Sequence, residues 1–445
     1  MHTNKIELRF LGGVEGDIGG NIIFFGKNGR GYFFDFGLEL TRSETLEKLN
    51  YPQEQIYNKE LAQHLDPLVH NLSKKKVFLS HGHSDHWKGL NIIPVNIRRE
   101  FIVYAPVYTK YLLDGRLKGF SDIKSIKINY RDPFSTSFND NKLRVTAFPV
   151  DHSILGSCCY IIKDQESSNT FLYTGDFRTH GLLTGVLNRN FWDVIDSKKV
   201  KAVICEGTQF AQVCEYTNEN DVALKVAEII RSYRDRVILV VTSTNDLYRL
   251  KTIIQCAVKS QRSVYIYDDK IEGILKKIES FTKTKDSFVE LLEKVGITSA
   301  LTNVKILPSS GERRIEIFRE MRQSPGKYVI VFTNVKSLFK ILSEFGDALK
   351  GGCCIFSLSE FFEEELGIET EKIISLISEN GLLVSRVHSS GHAFPEAIAE
   401  VLKKLSPETV FIVHSKDPKN FKKFLEGNDV KSQIYCPRKE EVFKF

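Results

Sequence analysis

The amino-acid sequence predicts an α/β fold in which the first and last parts of the chain enclose a separate parallel α/β domain. Residues 1–210 contain many short apolar runs, such as NIIFFGK and KKVFLSH, which are typical of buried strands. Over residues 211–375, strands such as RVILVVTS alternate with helical patterns such as DLYRLKTIIQCAV, which indicates a parallel sheet. Residues 376–445 return to the first style, with the strands LLVSRVH and TVFIVH on either side of the helix PEAIAEVLKKL. We therefore expect one domain built from the first and third segments, with the second segment inserted.

Composition and charge set the broad class. The chain has 445 residues, of which 42% are hydrophobic and 27% charged, so it is globular and large enough for more than one domain. Its 62 basic and 56 acidic residues are compatible with a polyanionic partner but do not by themselves indicate one. The opening MHTNKIELRFLGG lacks a signal-peptide pattern, and no apolar run reaches the roughly 18 residues of a membrane span. We expect a cytoplasmic protein without a membrane partner.

A cluster of histidines stands out in the stretch LSHGHSDHWKGL. Three of the 11 histidines, His81, His83 and His86, lie within six residues, together with Asp85. Imidazole and carboxylate groups suit zinc and similar divalent ions, and two such sets hold two ions a few ångströms apart. A chance surface cluster is the alternative, but it does not account for the metal-competent residues that follow later in the chain.

Those later residues share one position, the end of an apolar run. They are His152 after TAFPV, Asp176 after FLYTG, Glu206 after AVIC and His414 after FIV. If these strands lie in one sheet, their carboxyl ends meet at one edge, where polar sites of layered α/β proteins form. Taken singly, His152 would be a core histidine and TGD a plain turn. Together with the cluster, they indicate a metal site.

At this point the motifs resemble a known family. HGHSDH, VDHS, YTGDFRTHG and FFDFG resemble the signature motifs of the metallo-β-lactamase superfamily. ICEGT, HSSGHA and FIVHS resemble the three additional motifs of its β-CASP nucleases, the group of ribonuclease J and the cleavage-factor endonucleases. The resemblance extends from the opening LGGVEGDIGGN to FIVHS. It implies a metallo-β-lactamase αββα sandwich with an inserted parallel α/β (β-CASP) domain.

The resemblance also implies roles for individual residues. Two divalent ions, zinc or alternatively manganese, would be held by His81, His83 and His152, by Asp85, His86 and His414, and by Asp176 between them. Candidate catalytic residues are Asp85 as acceptor of the water proton, His392 as general acid, Glu206 as the group that fixes a histidine tautomer, and Asp35 as the group that orients a ligand.

The stretch VHSSGHAFPEAI carries the expected substrate contacts. A flexible serine-glycine turn followed by a helix makes an anion pocket at the helix N-terminus. In ribonuclease J-like proteins the matching residues grip phosphate, so the resemblance implies that His388, Ser390 and His392 bind substrate phosphate. A serine-rich N-cap would account for the serines but not for both histidines.

The function implied is a metal-dependent ribonuclease that cuts single-stranded RNA as a 5′ exonuclease, an endonuclease or both. His414 in FIVHS resembles the RNA-processing branch, since DNA-repair members typically carry valine there. The alternatives are a DNA nuclease of repair or defence and a non-catalytic RNA-binding subunit; the insertion disfavours a small-molecule esterase. Only residues 415–445 follow His414, so we expect no ribonuclease J-type C-terminal domain, and a homodimer stays open.

Overall fold

The computed structural model of this chain describes residues 5–38, 68–69, 72–91, 93, 98–117, 120, 123–128, 137–140, 142–187, 190–196, 200–212, 214–243, 245–267, 273, 275–276, 278–280, 283, 287–333, 335–358 and 370–445. Among these residues, none of the helices combines the length and the apolar character needed to cross a bilayer.

The strands of the described residues are, in chain order, β1 (Glu7–Gly12), β2 (Ile22–Lys27), β3 (Arg30–Phe34), β4 (Lys74–Phe78), β5 (Phe101–Pro106), β6 (Ile123–Ile126), β7 (Ser137–Asn139), β8 (Leu143–Pro149), β9 (Cys158–Asp164), β10 (Thr170–Tyr173), β11 (Val200–Glu206), β12 (Ile238–Thr242), β13 (Ser263–Tyr267), β14 (Val304–Ile306), β15 (Tyr328–Phe332), β16 (Cys353–Ser357), β17 (Leu383–Arg386), β18 (Thr409–Val413), β19 (Gln433–Tyr435) and β20 (Val442–Lys444).

The α-helices of the same residues are α1 (Ser84–Trp87), α2 (Val107–Leu113), α3 (Phe191–Val194), α4 (Glu219–Ser232), α5 (Leu247–Lys259), α6 (Ser287–Lys294), α7 (Ile297–Leu301), α8 (Glu312–Gln323), α9 (Val335–Phe345), α10 (Thr370–Glu379), α11 (Pro395–Leu405) and α12 (Pro418–Gly427).

The chain divides into two compact units. The first contains residues 1–179, 183–213 and 391–445, and the second contains residues 180–182 and 214–390. The first and last parts of the chain therefore form one unit.

The second boundary lies later than the sequence indicates. Residues 376–390, expected in the returning segment, belong to the second unit because β17 pairs in parallel with β16, with Cys354 opposite Val384. LLVSRVH does form a strand, as predicted. The apolar pattern of this segment does not indicate which sheet the strand joins, because β17 is a partly exposed edge strand.

The first unit is a sandwich of two seven-stranded sheets, in the orders β20-β1-β2-β3-β4-β5-β6 and β19-β18-β11-β10-β9-β8-β7. The two sheets share one buried core, in which Phe34 packs 5.3 Å from Tyr160 and Phe25 packs 5.6 Å from Phe171, measured between ring centroids. Helices α1 and α2 pack on the outer side of the first sheet, and α11 and α12 on that of the second. These layers form the predicted αββα sandwich.

Strand direction in the second of these sheets positions the site. β8 and β10 are both antiparallel to β9, whereas β10, β11 and β18 are successive parallel neighbours. β8, β10, β11 and β18 therefore point the same way, and their carboxyl ends lie at one edge of the sheet, as the sequence predicts.

The second unit is a six-stranded, wholly parallel sheet in the order β14-β13-β15-β12-β16-β17. Its helices bury apolar side chains against the sheet, as in the layered α/β class expected from the alternating pattern. The pattern DLYRLKTIIQCAV forms α5, whose first turn is capped by Asp246 through a hydrogen bond from the backbone N–H of Arg249 (3.0 Å). Of the predicted helix FEEELGIETEKIISLI, the residues before Thr370 lie outside the described part of the chain.

Candidate metal centre

The histidine cluster sits on a tight turn after β4. The strand ends at Phe78, and α1 begins at Ser84. His81 and His83 are therefore in the turn, and Asp85 and His86 are in the helix. Gly82 is packed closely in that turn: a Cβ atom there would lie 2.8 Å from a methyl group of Leu112.

Three imidazoles converge in the first cluster. Nδ1 of His83 lies 3.1 Å from Nε2 of His81 and 3.1 Å from Nε2 of His152. A tetrahedral zinc ion with nitrogen ligands at 2.0–2.1 Å has those nitrogens roughly 3.3 Å apart. The spacing of the three nitrogen atoms therefore fits one divalent ion.

Hydrogen bonds direct two of these nitrogens inward. His152 donates its Nδ1–H to the carbonyl of Gly391 (2.5 Å). The hydroxyl of Ser80 donates its proton to Asp35 (2.7 Å) and lies 2.9 Å from Nδ1 of His81. Since the hydroxyl has only one proton, Nδ1–H of His81 is the donor in the bond between His81 and Ser80. With the proton on Nδ1, the Nε2 atom of each ring keeps its lone pair for a metal.

Burial keeps this cluster neutral. It lowers the pKa of His83 to about 4, and, together with neighbouring imidazoles, it lowers the pKa values of His81 and His152 well below the ordinary histidine value. Neutral imidazole is the form that binds metal, so the three rings are in the ligating state at neutral pH.

A second cluster contains Asp85, His86, Asp176 and His414. Oδ2 of Asp85 lies 3.0 Å from Nε2 of His414 and 3.4 Å from Nε2 of His86, and Oδ2 of Asp176 lies 3.0 Å from the same His86 atom. All four potential ligand atoms lie within 4.8 Å of one another. Burial alone raises the pKa of Asp176, but the neighbouring His414 and His86 lower the pKa well below the usual value and keep the carboxylate ionised.

Two buried polar atoms in this cluster show that the side chains fit a metal. Nε2 of His86 and Oδ1 of Asp176 are buried and make no hydrogen bond within the described part of the chain. Burying such atoms unsatisfied is costly, and a cation supplies the missing interaction. Together with the first cluster, these residues form a donor set that could hold divalent metal.

Asp35 lies behind the metal-facing atoms rather than among them. Its Oδ2 accepts from Nδ1 of His86 (2.7 Å) and from the hydroxyls of Ser80 (2.7 Å) and Tyr173 (2.6 Å), and its Oδ1 accepts from the backbone N–H of Ser80 (2.6 Å). The carboxylate thus holds the His86 ring in one orientation. Asp35 therefore contacts His86 through Nδ1 and not through Nε2.

Glu206 holds His392. Oε2 of Glu206 accepts from Nδ1 of His392 (2.7 Å), while Oε1 accepts from the backbone N–H of Phe177 (2.8 Å). Burial alone would lower the pKa of His392. The charge and the hydrogen bond of Glu206 outweigh burial and raise the pKa from 6.5 to about 9. With Nδ1 committed to Glu206, Nε2 is the ring atom able to exchange a proton with a ligand.

Thr208 is a site residue that sequence reasoning missed. Its hydroxyl lies 2.7 Å from Oε2 of Glu206 and 2.7 Å from Nδ1 of His414. Because the carboxylate only accepts, the hydroxyl donates to Glu206 and accepts from His414, which leaves the ring's lone pair on Nε2, the atom that faces Asp85. The available signal was its position in ICEGT, two residues after the strand end.

The three expected phosphate ligands fall in different units. His392 belongs to the first unit, whereas His388 and Ser390 belong to the second. In the second unit, Nδ1 of His388 lies 3.1 Å from Nη1 of Arg249, and the backbone N–H of Ser390 contacts Sγ of Cys214 (3.2 Å). Joint phosphate binding by the three residues stays a prediction.

The glycine-rich opening lies against the second cluster. Gly19 has a φ angle of 79°, and a Cβ atom there would lie 2.7 Å from Cβ of Asp85. The backbone N–H of Gly20 donates to the carbonyl of Asp85 (3.0 Å), and that of His414 donates to the carbonyl of Gly13 (2.8 Å). Glycine is required here because the loop backbone approaches the metal-facing residues directly.

The chain is similar to several known proteins. A family model described as a beta-lactamase superfamily domain matches residues 56–188. Ribonuclease J of Mycoplasma pneumoniae is 25% identical over 363 residues, covering 78% of this chain and 58% of that protein. Ribonuclease J 1 of Streptococcus pyogenes is 24% identical over 365 residues, covering 78% and 59%. The chain thus spans less than two thirds of the length of these relatives.

Two further matches are a relative that is similar over a short segment and a solved structure with a similar fold. Protein artemis of Rattus norvegicus is 34% identical over 119 residues, covering 24% of this chain and 17% of that protein. The crystal structure of a protein of unknown function from Enterococcus faecalis V583 matches with a TM-score of 0.69 at 20% identity, over 99% of this chain and 100% of the other, and supports the fold alone. The family model and the ribonuclease J and Artemis relatives together show that the chain is similar to beta-lactamase superfamily domains over residues 56–188 and to ribonuclease J over 78% of its length.

Proposed function

We propose that this chain is a metal-dependent ribonuclease that hydrolyses phosphodiester bonds of single-stranded RNA. One observation carries the proposal: a single carboxylate oxygen lies at the centre of the histidine-rich site. Oδ2 of Asp176 lies 3.0–3.9 Å from a ring nitrogen of each of five histidines, His81, His86, His152, His392 and His414. Such a carboxylate would help to hold two divalent ions.

The donor set favours two divalent ions, zinc in the first place and manganese as the alternative. The cluster of His81, His83 and His152 offers only imidazole nitrogens, and the other cluster mixes imidazole with carboxylate. When bound, divalent ions supply Lewis acidity, which favours hydroxide at neutral pH and offsets charge on phosphoryl oxygens.

The chain's own residues would handle the protons. Asp85 has a pKa well below the usual value: burial raises it, but His86 and His414 lower it more, so its carboxylate is ionised and able to accept a proton from water. His392, held through Nδ1 by Glu206, would donate the Nε2 proton to the leaving oxygen. The two groups thus serve as base and acid of one hydrolysis.

RNA is favoured over DNA by two facts. The ribonuclease J relatives are similar over 78% of this chain, whereas the Artemis match covers 24%. His414, the residue through which FIVHS resembles the RNA-processing branch, lies in the second cluster with Nε2 as its potential ligand atom. A DNA nuclease is the second candidate, because the segment similar to Artemis is 34% identical, whereas the ribonuclease J of Mycoplasma pneumoniae is 25% identical.

The test is cleavage of end-labelled single-stranded RNA with a 5′-monophosphate and of DNA of the same sequence, with and without chelator. We expect chelator-sensitive cleavage of RNA, with a product ladder that distinguishes 5′ exonuclease from endonuclease action. Asp176→Asn should abolish cleavage. Asp164→Asn, which removes a buried carboxylate paired with Lys27 away from the site, should retain it. Cleavage of DNA alone, or equal RNA cleavage by the Asp176 variant, would overturn the proposal.

A further inference from the structure

A buried ion pair of the first unit joins the chain neighbours of two metal-facing residues. Asp151 directly precedes His152, and Arg178 follows Asp176 by two residues. Nε of Arg178 donates to Oδ1 of Asp151 (2.8 Å), and both side chains are fully buried. Because burying two charges costs desolvation energy that their attraction barely offsets, stability alone is a weak reason for such a pair.

The same two residues are also joined through the backbone. The N–H of Arg178 donates to the carbonyl of Asp151 (2.7 Å), and the two residues form an antiparallel bridge. This bridge lies beyond the carboxyl ends of β8 and β10, which are not neighbours in the sheet because β9 lies between them. Asp151 and Arg178 therefore connect two loops that strand pairing does not connect directly.

The second carboxylate oxygen of Asp151 holds the segment that follows Arg178. Oδ2 accepts from the backbone N–H of Thr184 (2.6 Å) and lies 3.2 Å from the Thr184 hydroxyl. A carboxylate suits this position because it only accepts, whereas the guanidinium and the backbone N–H only donate. Asp151 thus fixes both ends of residues 178–184 against the loop that carries His152.

We propose that Asp151 and Arg178 are positioning residues, which fix the loops of two metal-facing residues relative to each other so that both present their ligand atoms to divalent metal. The inference rests on the proposed function, in which His152 and Asp176 hold metal. Nε2 of His152 lies 3.9 Å from Oδ2 of Asp176, a separation that depends on the relative position of the two loops. Losing partners of this kind typically lowers metal affinity about 10- to 100-fold.

The main variant in the test is Asp151→Asn/Arg178→Met. It removes both charges together, because removing one would leave the other buried without its partner, which is strongly destabilising. The asparagine oxygen can still accept from Thr184, so the link between the two loops is what is lost. In the chelator-treated protein we expect the affinity for Zn²⁺ to fall about 10- to 100-fold, measured by competition with a chromogenic chelator. The visible absorption of bound Co²⁺, which reports the arrangement of its ligands, should change as well.

Two further variants complete the experiment, Arg178→Lys and Lys27→Met/Asp164→Asn. Lysine keeps a cation opposite Asp151 but loses the planar Nε–H donor, so Arg178→Lys should bind Zn²⁺ about 3- to 10-fold more weakly than the wild type and more tightly than the Asp151/Arg178 double variant. Lys27→Met/Asp164→Asn is the matched control, because it removes another buried ion pair of the first unit, formed by residues outside the metal clusters. It should bind Zn²⁺ and Co²⁺ like the wild type.

The outcomes separate the inference from the proposed function. If the wild-type protein binds neither Zn²⁺ nor Co²⁺, both fail. If the wild type binds metal and cleaves RNA, while Arg178→Lys and the Asp151/Arg178 double variant keep its affinity and its Co²⁺ spectrum, the inference alone is overturned. An equal loss of affinity in the Lys27/Asp164 control overturns it too, because the loss would then follow from removing any buried ion pair. Should the Asp151/Arg178 double variant not fold, Arg178→Lys decides, since it retains both charges.

Discussion

The hydroxyl of Thr208 lies 2.7 Å from Nδ1 of His414, at the end of a hydrogen-bond chain that continues through Glu206 to His392. The chain joins a side chain that faces the metal clusters to the group positioned to donate a proton. It also sets the tautomer of His414, whose φ angle of 51° is itself an uncommon conformation for a histidine.

Thr208→Val should weaken the second metal cluster. Valine keeps the shape but leaves Nδ1 of His414 without its acceptor, and losing such an outer partner typically lowers metal affinity about 10- to 100-fold. Thr208→Ser keeps the hydroxyl and should bind metal like the wild type. Metal titration of the chelator-treated protein measures both, and equal affinities for the valine and serine variants would contradict this role.

Glu206→Gln should slow catalysis without emptying the metal clusters. The neutral amide carries no negative charge, and with its oxygen facing His392 and Thr208 its NH₂ group would face the backbone N–H of Phe177, so the proposed general acid loses its charge partner. We expect kcat to fall about 10²- to 10⁴-fold, the usual contribution of general acid catalysis. His392→Ala should cause a similar fall, and the double variant no more than either, because the two residues act as a unit. If the two substitutions lowered kcat independently, so that the double variant showed the product of both decreases, Glu206 would not act through His392.

Gly37→Ala should disturb the second cluster selectively. A Cβ atom at this position would lie 1.6 Å from the carbonyl oxygen of Asp85, so the backbone that carries Asp85 and His86 must shift. We expect one tightly bound ion per chain instead of two, because the histidine trio does not depend on that contact. Gly427→Ala is the control, since a Cβ there meets nothing within 4 Å. Two tightly bound ions in the Gly37 variant would count against the arrangement.

Asp140 should make the stability of the first unit dependent on acid. Burial raises its pKa, but hydrogen bonds from Lys76 (2.7 Å) and Tyr32 lower it from 3.8 to about 2. Because the folded-state pKa is depressed, the stabilisation is fully present above about pH 4 and is lost as the pH falls towards 2. Asp140→Asn should lower the free energy of unfolding by about 1–2 kcal/mol at pH 7, after allowance for solvent screening.

The difference between the wild type and Asp140→Asn should therefore shrink between pH 4 and pH 2 in denaturant unfolding curves. Asp429→Asn, which removes an exposed carboxylate beside Lys431, should have no measurable effect at either pH. A gap that stays constant down to pH 2 would show that Asp140 does not act through its charge.

The sequence predicted the parts of the site that local pattern encodes. His152, Asp176 and His414 each follow an apolar strand, and β8, β10 and β18 do end at one edge of one sheet. The helix PEAIAEVLKKL was predicted to the residue, since proline at its start and the apolar spacing are local signals.

Relationships that depend on tertiary contacts could not be predicted in this way. Thr208 gains its contact with His414 only when β11 and β18 pair. The boundary at residue 390 was missed for the same reason, because a short edge strand carries no signal for the sheet it joins.

The most direct test of the central claim is to titrate zinc or manganese into chelator-treated protein while following both bound metal and cleavage of 5′-phosphorylated RNA. We predict no cleavage without metal, saturation at two ions per chain, and cleavage that rises as the second ion binds. Cleavage at the full rate with less than about one tenth of an ion per chain would contradict a metal-dependent nuclease.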